Sequence, residues 1–343
     1  MRVGIFESVD TGLAHGAAHD AVAVTAVNDS SSAIREACRS LGWTPIDVVA
    51  SRDLRATLAN LTEARADIVF QLAESIGGEA RFEAAAAWLL EWADIPYTGS
   101  GPVAITLALE KPRTRAILSP VGVPTPIGFV ARDADGAFSD IFHANRSVSA
   151  WIVKPSREDA SHGIELASVV RSEKTLRERI DYVVRTYRQP ALVEEFVDGR
   201  EFNVSILAGP DGGQAMLPIA EIDYDSFPKG EPRLITFKAK WDPNSAEYTG
   251  SMPKPAVDLP GDLARILGER ALAAWDAIGL EGYGRIDMRV HPTRGPLVLD
   301  VNPNPDLSPG AGLSTAATRA GLTHEQLIAR IVRDALRRCG RLA

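Results

Sequence analysis

The N-terminal third of the chain alternates short apolar runs with segments of helical spacing. The apolar runs predict strands at residues 2–6, 45–50 and 67–72, and the other segments predict helices at residues 32–41 and 80–93. Strand–helix–strand alternation favours an open, largely parallel sheet that is covered by helices. We therefore predict an N-terminal α/β unit that ends near residue 108.

The rest of the chain predicts a small mixed unit, followed by a unit that is strand-rich and then helical. Predicted strands lie at residues 151–155, 191–197, 201–207, 215–222, 283–290 and 295–301. Predicted helices lie at residues 112–121, 173–188, 260–279 and 323–338. Thr323 and Gln326 have the spacing of a capping box at the start of the last helix. The predicted fold class is α/β with α+β character.

Composition excludes several classes of protein. The chain has 343 residues, of which 45% are hydrophobic and 24% charged, which is typical of a globular protein of two or three domains and not of a disordered, collagen-like or coiled-coil one. A net charge of −8 argues against binding to nucleic acid or to an anionic membrane. Cys38 and Cys339 have no neighbours at metal-ligand spacing, and no apolar stretch approaches the ~20 residues of a membrane span. We expect a soluble cytoplasmic protein.

Four common catalytic motifs are absent from the sequence. There is no G-x-x-x-x-G-K-[ST] phosphate loop, no G-x-G-x-x-G fingerprint, no G-x-S-x-G nucleophile elbow and no H-E-x-x-H zinc motif. These absences exclude four familiar enzyme classes and leave other enzymes open.

The most informative segment is a predicted hairpin with acidic residues at its strand ends. Asp287 and Asp300 end two apolar runs, and Asn302 lies two residues after Asp300, on the same face of the strand. Two carboxylates and an amide oxygen are ligands that Mg²⁺ prefers, with phosphate oxygens completing the octahedron. Arg285 shares the face of Asp287, where its charge suits a phosphoryl transition state. The alternative reading is a set of polar residues that only flank a hairpin.

Three lysines and one strand complete the candidate site. Lys111 begins a helix, Lys154 ends a strand beside the loop at residues 156–163, and Lys240 lies between aromatic residues. A lysine beside a flexible loop is a suitable phosphate ligand, although each lysine alone is more often simply solvated.

The predicted strand at residues 191–197 can offer backbone groups to the edge of an adenine. It continues through Glu194, Glu195, Phe196 and Val197, and Glu201 follows. Phe196 could pack on the adenine ring, and Glu201 could accept ribose hydroxyls. An ordinary edge strand with surface acids remains the alternative.

Several segments together resemble the ATP-grasp superfamily, and within it the D-alanine–D-alanine ligase branch. They occur in family order from about residue 67 to residue 325. The segments are Asp67-Ile-Val-Phe-Gln-Leu-Ala-Glu, Ile95-Pro-Tyr-Thr-Gly-Ser, Leu118-Ser-Pro-Val-Gly-Val-Pro-Thr-Pro, Val153-Lys-Pro-Ser-Arg-Glu, residues 194–202, Gly284-Arg-Ile-Asp and Asp300-Val-Asn-Pro.

The resemblance implies a three-domain ATP-grasp fold. It divides the chain into an N-terminal α/β domain at residues 1–108, a middle lid domain at residues 109–197 and a catalytic domain at residues 198–343. ATP would lie between the middle and C-terminal domains, under a flap at residues 156–163.

The resemblance also implies roles for individual residues. It assigns ATP binding to Lys111, Lys154, Glu194, Glu195, Phe196, Val197, Glu201, Lys240 and Leu299. It assigns two Mg²⁺ ions, with Mn²⁺ as an alternative, to Asp287, Asp300 and Asn302, and catalysis to Arg285, Lys240 and Ser161.

The chemistry that the resemblance implies joins a small carboxylate to a small amine. ATP phosphorylates the carboxylate, and the amine attacks the acyl phosphate to form an amide. Positioning and charge neutralisation supply most of the catalysis. Small molecules would be the partners, with no nucleic acid and no membrane, and a homodimer stays open.

The chain departs from the D-alanine ligase pattern in three places. The Ser-Ser pair of the flap is replaced by Ala160-Ser161, and the N-terminal glutamate that holds the first substrate's amine is missing from residues 24–33, where Asp29 is the only acid. The Pro-Gly-Met-Thr run that binds the second amino acid is replaced by Pro303-Asn-Pro-Asp. We therefore predict a ligase with substrates other than two D-alanines. The alternatives are a divergent D-alanine–D-alanine ligase and a catalytically silent ATP-binding subunit.

Overall fold

The computed structural model describes residues 1–136, 139–145, 147–209 and 211–341, without the side chains of residues 24–28, 139 and 140. The strands are β1 (Arg2–Ser8), β2 (Thr44–Ala50), β3 (Ile68–Gln71), β4 (Gly128–Ala131), β5 (Trp151–Pro155), β6 (Val169–Val170), β7 (Ala191–Glu195), β8 (Glu201–Ala208), β9 (Gln214–Met216), β10 (Ala220–Asp223), β11 (Met252–Pro255), β12 (Tyr283–His291) and β13 (Gly295–Asn302). The α-helices are α1 (Ala21–Ser40), α2 (Leu54–Ala64), α3 (Glu83–Trp92), α4 (Pro102–Leu109), α5 (Lys111–Leu118), α6 (Ser139–Ala144), α7 (Glu173–Tyr187), α8 (Phe237–Trp241), α9 (Ala246–Thr249), α10 (Leu263–Ile278), α11 (Gly312–Arg319) and α12 (His324–Arg338).

The N-terminal sheet has the order β2-β1-β3, and its strands are parallel, as predicted. Apolar clusters cover both of its faces, with Ile5 packed in one and Phe6 in the other. Helix α1 begins eleven residues before the predicted start at residue 32. The prediction began too late because the middle of the helix is rich in Asn, Asp and Ser, which are weak helix formers. Helix α2 was not predicted, although Asp53 caps it by accepting hydrogen bonds from two backbone N–H groups.

The middle sheet is antiparallel, with the order β4-β7-β5-β6. Its apolar face packs on α7, where Trp151 and Val153 of β5 share a cluster with Leu176 and Ile180. Ser172 caps α7 at its N-terminus. The opposite face of this sheet, which α7 does not cover, is therefore turned toward the C-terminal unit.

The C-terminal sheet is antiparallel, with the order β11-β10-β8-β12-β13 and with β9 paired to β8. The predicted hairpin of β12 and β13 is confirmed. The predicted strand at residues 215–222 is interrupted between β9 and β10, where Pro218 has no backbone N–H to donate to the sheet.

The N- and C-terminal parts of the chain share one core. Ile34 of α1 packs with Leu327 and Ile331 of α12, and the same cluster contains Leu207 of β8 and Tyr283 of β12. This packing brings the ends of the N-terminal strands to the polar face of the C-terminal sheet. Within the described ranges, no helix is long and apolar enough to cross a membrane.

Candidate active site

One face of the C-terminal sheet is apolar and the other is polar, because side chains alternate along a strand. Phe202 and Val204 of β8 and Ile286 and Met288 of β12 pack in the cluster that includes α10. The alternate residues pair across the sheet on the polar face. Asp287 lies opposite Asn203 and Asp300, Arg285 opposite Ser205 and Asn302, and Arg289 opposite Glu201.

A β-bulge in β13 decides which side chains reach this face. The register shifts so that Asp287 pairs with Asp300, whereas the next residue, Met288, pairs with Val298. Leu299 is the extra residue of the bulge. The shift lets Val298 stay in the core while Asp300 lies on the polar face beside Asp287.

Four hydrogen bonds hold the carboxylate of Asp287. The Arg285 guanidinium donates to both carboxylate oxygens, with distances of 2.7 Å from Nε and 2.8 Å from the terminal nitrogen. The side-chain amides of Asn203 and Asn302 donate at 2.7 Å and 3.0 Å. This fork pairs the predicted phosphoryl-stabilising arginine with a predicted metal ligand.

The Lys111 ammonium lies between two carboxylates. Its Nζ is 2.9 Å and 2.8 Å from the two oxygens of Asp300, and 3.0 Å from Asp159 of the loop after β5. Burial alone would lower the pKa of Lys111, but the two carboxylates raise it above its ordinary value. Lys111 therefore links the start of α5 to the C-terminal sheet and to the flap loop.

The donor set on the polar face fits a divalent cation that also binds phosphate. Asp287, Asp300 and Asn302 supply two carboxylates and one amide oxygen, which are hard ligands of the kind Mg²⁺ prefers. Among the described residues, no group of three or more His, Cys, Asp or Glu side chains could hold a metal ion. The protein's own oxygens are therefore too few for a closed cage, and phosphate oxygens would have to complete it.

The side chain of Glu194 is buried in an ion-pair network. Lys154 Nζ is 2.6 Å from one carboxylate oxygen, and Arg115 donates to the other. Burial would raise the pKa of Glu194, but Lys154 and Arg115 lower it below its ordinary value. Glu195 is likewise held, by Arg294 and by His291 at 3.3 Å. At the end of β7, the groups that stay available to a ligand are therefore backbone groups rather than the two carboxylates.

Arg289 organises the segment that was predicted to contact adenine and ribose. Its guanidinium donates to Glu201 at 2.9 Å and 2.6 Å and to the Val197 carbonyl at 2.9 Å, and it lies 5.2 Å from the centre of the Phe196 ring. The Tyr224 hydroxyl donates to Glu201 at 2.7 Å. Within the described part of the chain, the N–H of Val197 donates to no partner.

The flap loop and α8 meet on the opposite wall of the cleft. Ala160 and Ser161 are both left-handed, with φ of 53° and 60°, and the Trp241 indole N–H donates to the Ala160 carbonyl at 2.9 Å. Lys240 is exposed to solvent, yet burial, followed by the charge of Arg285, lowers its pKa. Lys240 therefore lies near enough to Arg285 for the two positive charges to repel each other.

Sequence reasoning missed several residues of this cleft. Asn203 could have been found, because it lies two residues after Glu201 on the same face of β8. The remaining ones are Arg115, Asp159, Tyr224 and Arg289, whose partners are distant in sequence. The separation in sequence between each of these residues and its partner follows no periodic pattern, so no sequence pattern indicated the pairing.

Comparisons with known proteins agree with this arrangement. A family model described as "D-ala D-ala ligase C-terminus" matches residues 138–333. A D-alanine–D-alanine ligase of Synechococcus sp. (strain JA-2-3B'a(2-13)) is 30% identical over 310 residues, which are 90% of this chain and 88% of that protein. The chain belongs to the D-alanine–D-alanine ligase family.

Solved structures of the D-alanine–D-alanine ligase family share the fold. The Bacillus anthracis D-alanine–D-alanine ligase complexed with ATP has a TM-score of 0.74 at 18% identity, with all of both chains covered. The VanG D-Ala:D-Ser ligase of Enterococcus faecalis has a TM-score of 0.70 at 17% identity, covering 97% of this chain and 99% of that one. The chain therefore has the three-domain ATP-grasp fold of this family and is an ATP-dependent ligase.

Proposed function

We propose that the chain is a carboxylate–amine ligase that forms an amide through an acyl phosphate. The observation that carries the proposal is the polar face of the C-terminal sheet, where Arg285, Asp287, Asp300 and Asn302 lie together and Lys111 reaches Asp300. Such a face can position a terminal phosphate and neutralise the charge that develops on it.

In this proposal the nucleotide lies between residues 109–197 and residues 198–343, with residues 1–108 as the N-terminal domain. The free N–H of Val197 and the Phe196 ring suit an adenine, with Leu299 beside it and Glu201 at the ribose. The ion pairs of Glu194 and Glu195 hold the end of β7 in place beside the proposed adenine position. Lys111, Lys154 and Lys240 are the candidate phosphate ligands.

Asp287, Asp300 and Asn302 would hold Mg²⁺, as one or two ions or as Mn²⁺ in its place. When bound, the ion would neutralise phosphate charge and orient the phosphoryl group. Arg285 would steady the transferring phosphoryl group from the side of Asp287. Ser161 would approach the phosphates from the flap, where Ala160 and Ser161 form a left-handed turn.

We infer that the substrates are not two D-alanines. The acids that could replace the missing family glutamate are Asp29 and Glu7. Asp29 is exposed, and the Glu7 carboxylate is paired with Arg35. The side chains of residues 24–28 lie outside the described residues. In the loop after Asn302, Asp306 accepts a hydrogen bond from Ser30 of α1. A divergent D-alanine–D-alanine ligase is the second candidate, favoured by the relatives of that name.

The test is a screen for ADP release with MgATP and a panel of amino acids, dipeptides and other small acids. D-alanine alone is one arm, with dipeptide formation measured directly. We expect ADP release that needs both a carboxylate and an amine, and little from D-alanine alone. Dipeptide formation within tenfold of an ordinary D-alanine–D-alanine ligase would restore the second candidate, and no ADP release with any acid would refute the ligase proposal.

A further inference from the structure

Glu74 is a carboxylate without a partner among the described residues, in a cleft where other carboxylates are held. It follows β3 and is half-buried, and it forms no hydrogen bond or ion pair with any residue that the structure describes. By contrast, Asp287 is held by Arg285, Asp300 and Asp159 by Lys111, and Asp306 by the backbone N–H of Ser308 at 2.7 Å. A free carboxylate of this kind is available to a ligand.

Groups from five segments of the chain interact electrostatically with Glu74. They are Lys240 of α8, Asp306 of the loop after Asn302, Asp159 and His162 of the flap loop, Glu83 of α3 and Tyr283 of β12. Burial raises the pKa of Glu74 to about 7. The charge of Lys240 opposes this rise, and the neighbouring acids Asp306 and Asp159 add to it. Glu74 therefore lies where the N-terminal unit, the flap and the C-terminal sheet meet.

Two almost fully buried side chains support this position and have unfilled hydrogen-bonding capacity. Glu83 is 5% exposed, and its one hydrogen bond from a described residue comes from the Asn304 amide at 3.4 Å. His162 is 7% exposed, and its Nε2 has no hydrogen-bond partner among the described residues, whereas Nδ1 is 3.6 Å from Glu158. Buried polar atoms without partners are rare in proteins, and they indicate that a further group belongs there.

We propose that Glu74 binds the ammonium group of the amine substrate and accepts its proton, so that the acceptor is a primary amine that arrives charged. This proposal rests on the proposed carboxylate–amine ligase function. A positively charged group in a closed cleft needs a compensating carboxylate, and Glu74 is one with no competing partner among the described residues. Lys240 on the opposite wall stays available to phosphate, because it too forms no ion pair with a described residue.

The proton balance of the step is simple. The ammonium R–NH₃⁺ gives one proton to the Glu74 carboxylate, and the freed lone pair attacks the carbonyl carbon of the acyl phosphate. The C–N bond forms, the C–O bond to phosphate breaks, and the leaving phosphate takes the oxygen and the bonding electron pair. The second proton of the amine nitrogen ends on the phosphate. A base whose pKa lies near the working pH suits this transfer.

The test compares the wild type with Glu74→Gln, and Glu178→Gln on the exposed surface of α7 is the matched control. The amine probes are D-alanine, D-serine, glycine and L-alanine, each offered with the panel of carboxylates and MgATP. Hydroxylamine, which is uncharged at neutral pH, is the comparison nucleophile, and it traps the acyl phosphate as a hydroxamate. The melting temperature of each variant reports folding.

We expect Glu74→Gln to lower kcat/KM for the charged amines by about 100-fold or more. Its KM for ATP and its hydroxamate yield should match those of Glu178→Gln. The wild-type kcat/KM for the amine should fall as the pH drops below about 7, as a base with the raised pKa of Glu74 requires, and this limb should vanish in Glu74→Gln.

Two outcomes overturn the assignment of Glu74 and leave the ligase function intact. The first is a Glu74→Gln variant that folds and keeps its kcat/KM for the amines. The second is wild-type protein that makes hydroxamate but no amide with any of the four amines. Wild-type protein that releases no ADP and makes no hydroxamate with any carboxylate refutes the proposed function itself.

Discussion

Replacing Arg289 by methionine should destabilise the protein and weaken its binding of MgATP. The Arg289 side chain is 4% exposed and that of Glu201 is 10% exposed, so the variant leaves a buried carboxylate without its cation. The Val197 carbonyl loses its hydrogen bond from Arg289 as well. Removing one partner of a buried ion pair costs about 3–5 kcal/mol of unfolding free energy.

Urea denaturation followed by tryptophan fluorescence measures this loss. The control is Arg233→Met, whose partner Asp198 is 61% exposed, so its cost should stay below about 1 kcal/mol. The double variant Arg289→Met/Glu201→Leu should recover most of the loss, because two apolar side chains can replace a buried pair. A loss below about 1 kcal/mol in Arg289→Met, or no recovery in the double variant, would refute the reasoning.

The same variant tests the nucleotide site. Phe196, Val197 and Glu201 all contact Arg289, so their geometry should loosen together in Arg289→Met. We expect the Kd for MgATP to rise by about tenfold, which corresponds to about 1.4 kcal/mol. Isothermal titration at a temperature well below the melting transition measures it, and an unchanged Kd would remove this segment from the proposed adenine site.

Three further predictions follow from the cleft. Asp300→Asn and Asn302→Ala should each lower kcat by about 100-fold or more, because loss of a metal ligand costs several kcal/mol of transition-state stabilisation; Asn302→Ala should keep a melting temperature near that of the wild type, whereas Asp300→Asn should lower it because the buried Lys111 loses one of its two carboxylates, and a folded variant that remains active contradicts the metal assignment. Saturating MgATP should raise the melting temperature, by an amount equivalent to about 2.7 kcal/mol at a hundredfold excess over Kd, and MgGTP should not; an equal shift with MgGTP would argue against an adenine site. Glu74→Gln should stabilise the fold at pH 8 by up to about 3 kcal/mol and leave it unchanged at pH 4, because a carboxyl whose pKa is raised to about 7 loses its stabilising contribution as the pH rises through that value; urea melts at the two pH values that show no difference would mean that the pKa of Glu74 is not raised.

Local patterns in the sequence predicted part of the geometry of the candidate site. The hairpin pattern predicted Asp287 and Asp300 on one face, and the structure pairs them there, but it does so through the bulge at Leu299, which the pattern did not predict. The terminal helix and its capping box at Thr323 were also predicted correctly. The interruption between β9 and β10 was missed, because Pro218 was treated as part of a continuous strand.

The charge partners of the site could not be predicted from the sequence. The resemblance assigned Glu194 to the adenine site, and in the structure Lys154 and Arg115 pair with its carboxylate. Lys111 was interpreted as a phosphate ligand, and in the structure it neutralises Asp300 and Asp159. Each pair joins residues far apart in the chain, and no periodicity connects them.

The sequence by itself determined the strands and helices that are regular and strongly patterned, the hairpin that carries the acidic residues, and the resemblance to a ligase family, because hydrophobic periodicity and turn residues act over a few neighbouring positions. The tertiary structure alone decided which charges neutralise one another and which remain free. The bulge at Leu299 turned Asp300 toward Asp287, and the shared core of α1 and α12 brought the N-terminal unit over the C-terminal sheet. That packing left Glu74 without a partner among the residues that the structure describes, because whether a charge finds a partner depends on distances that only the folded chain sets.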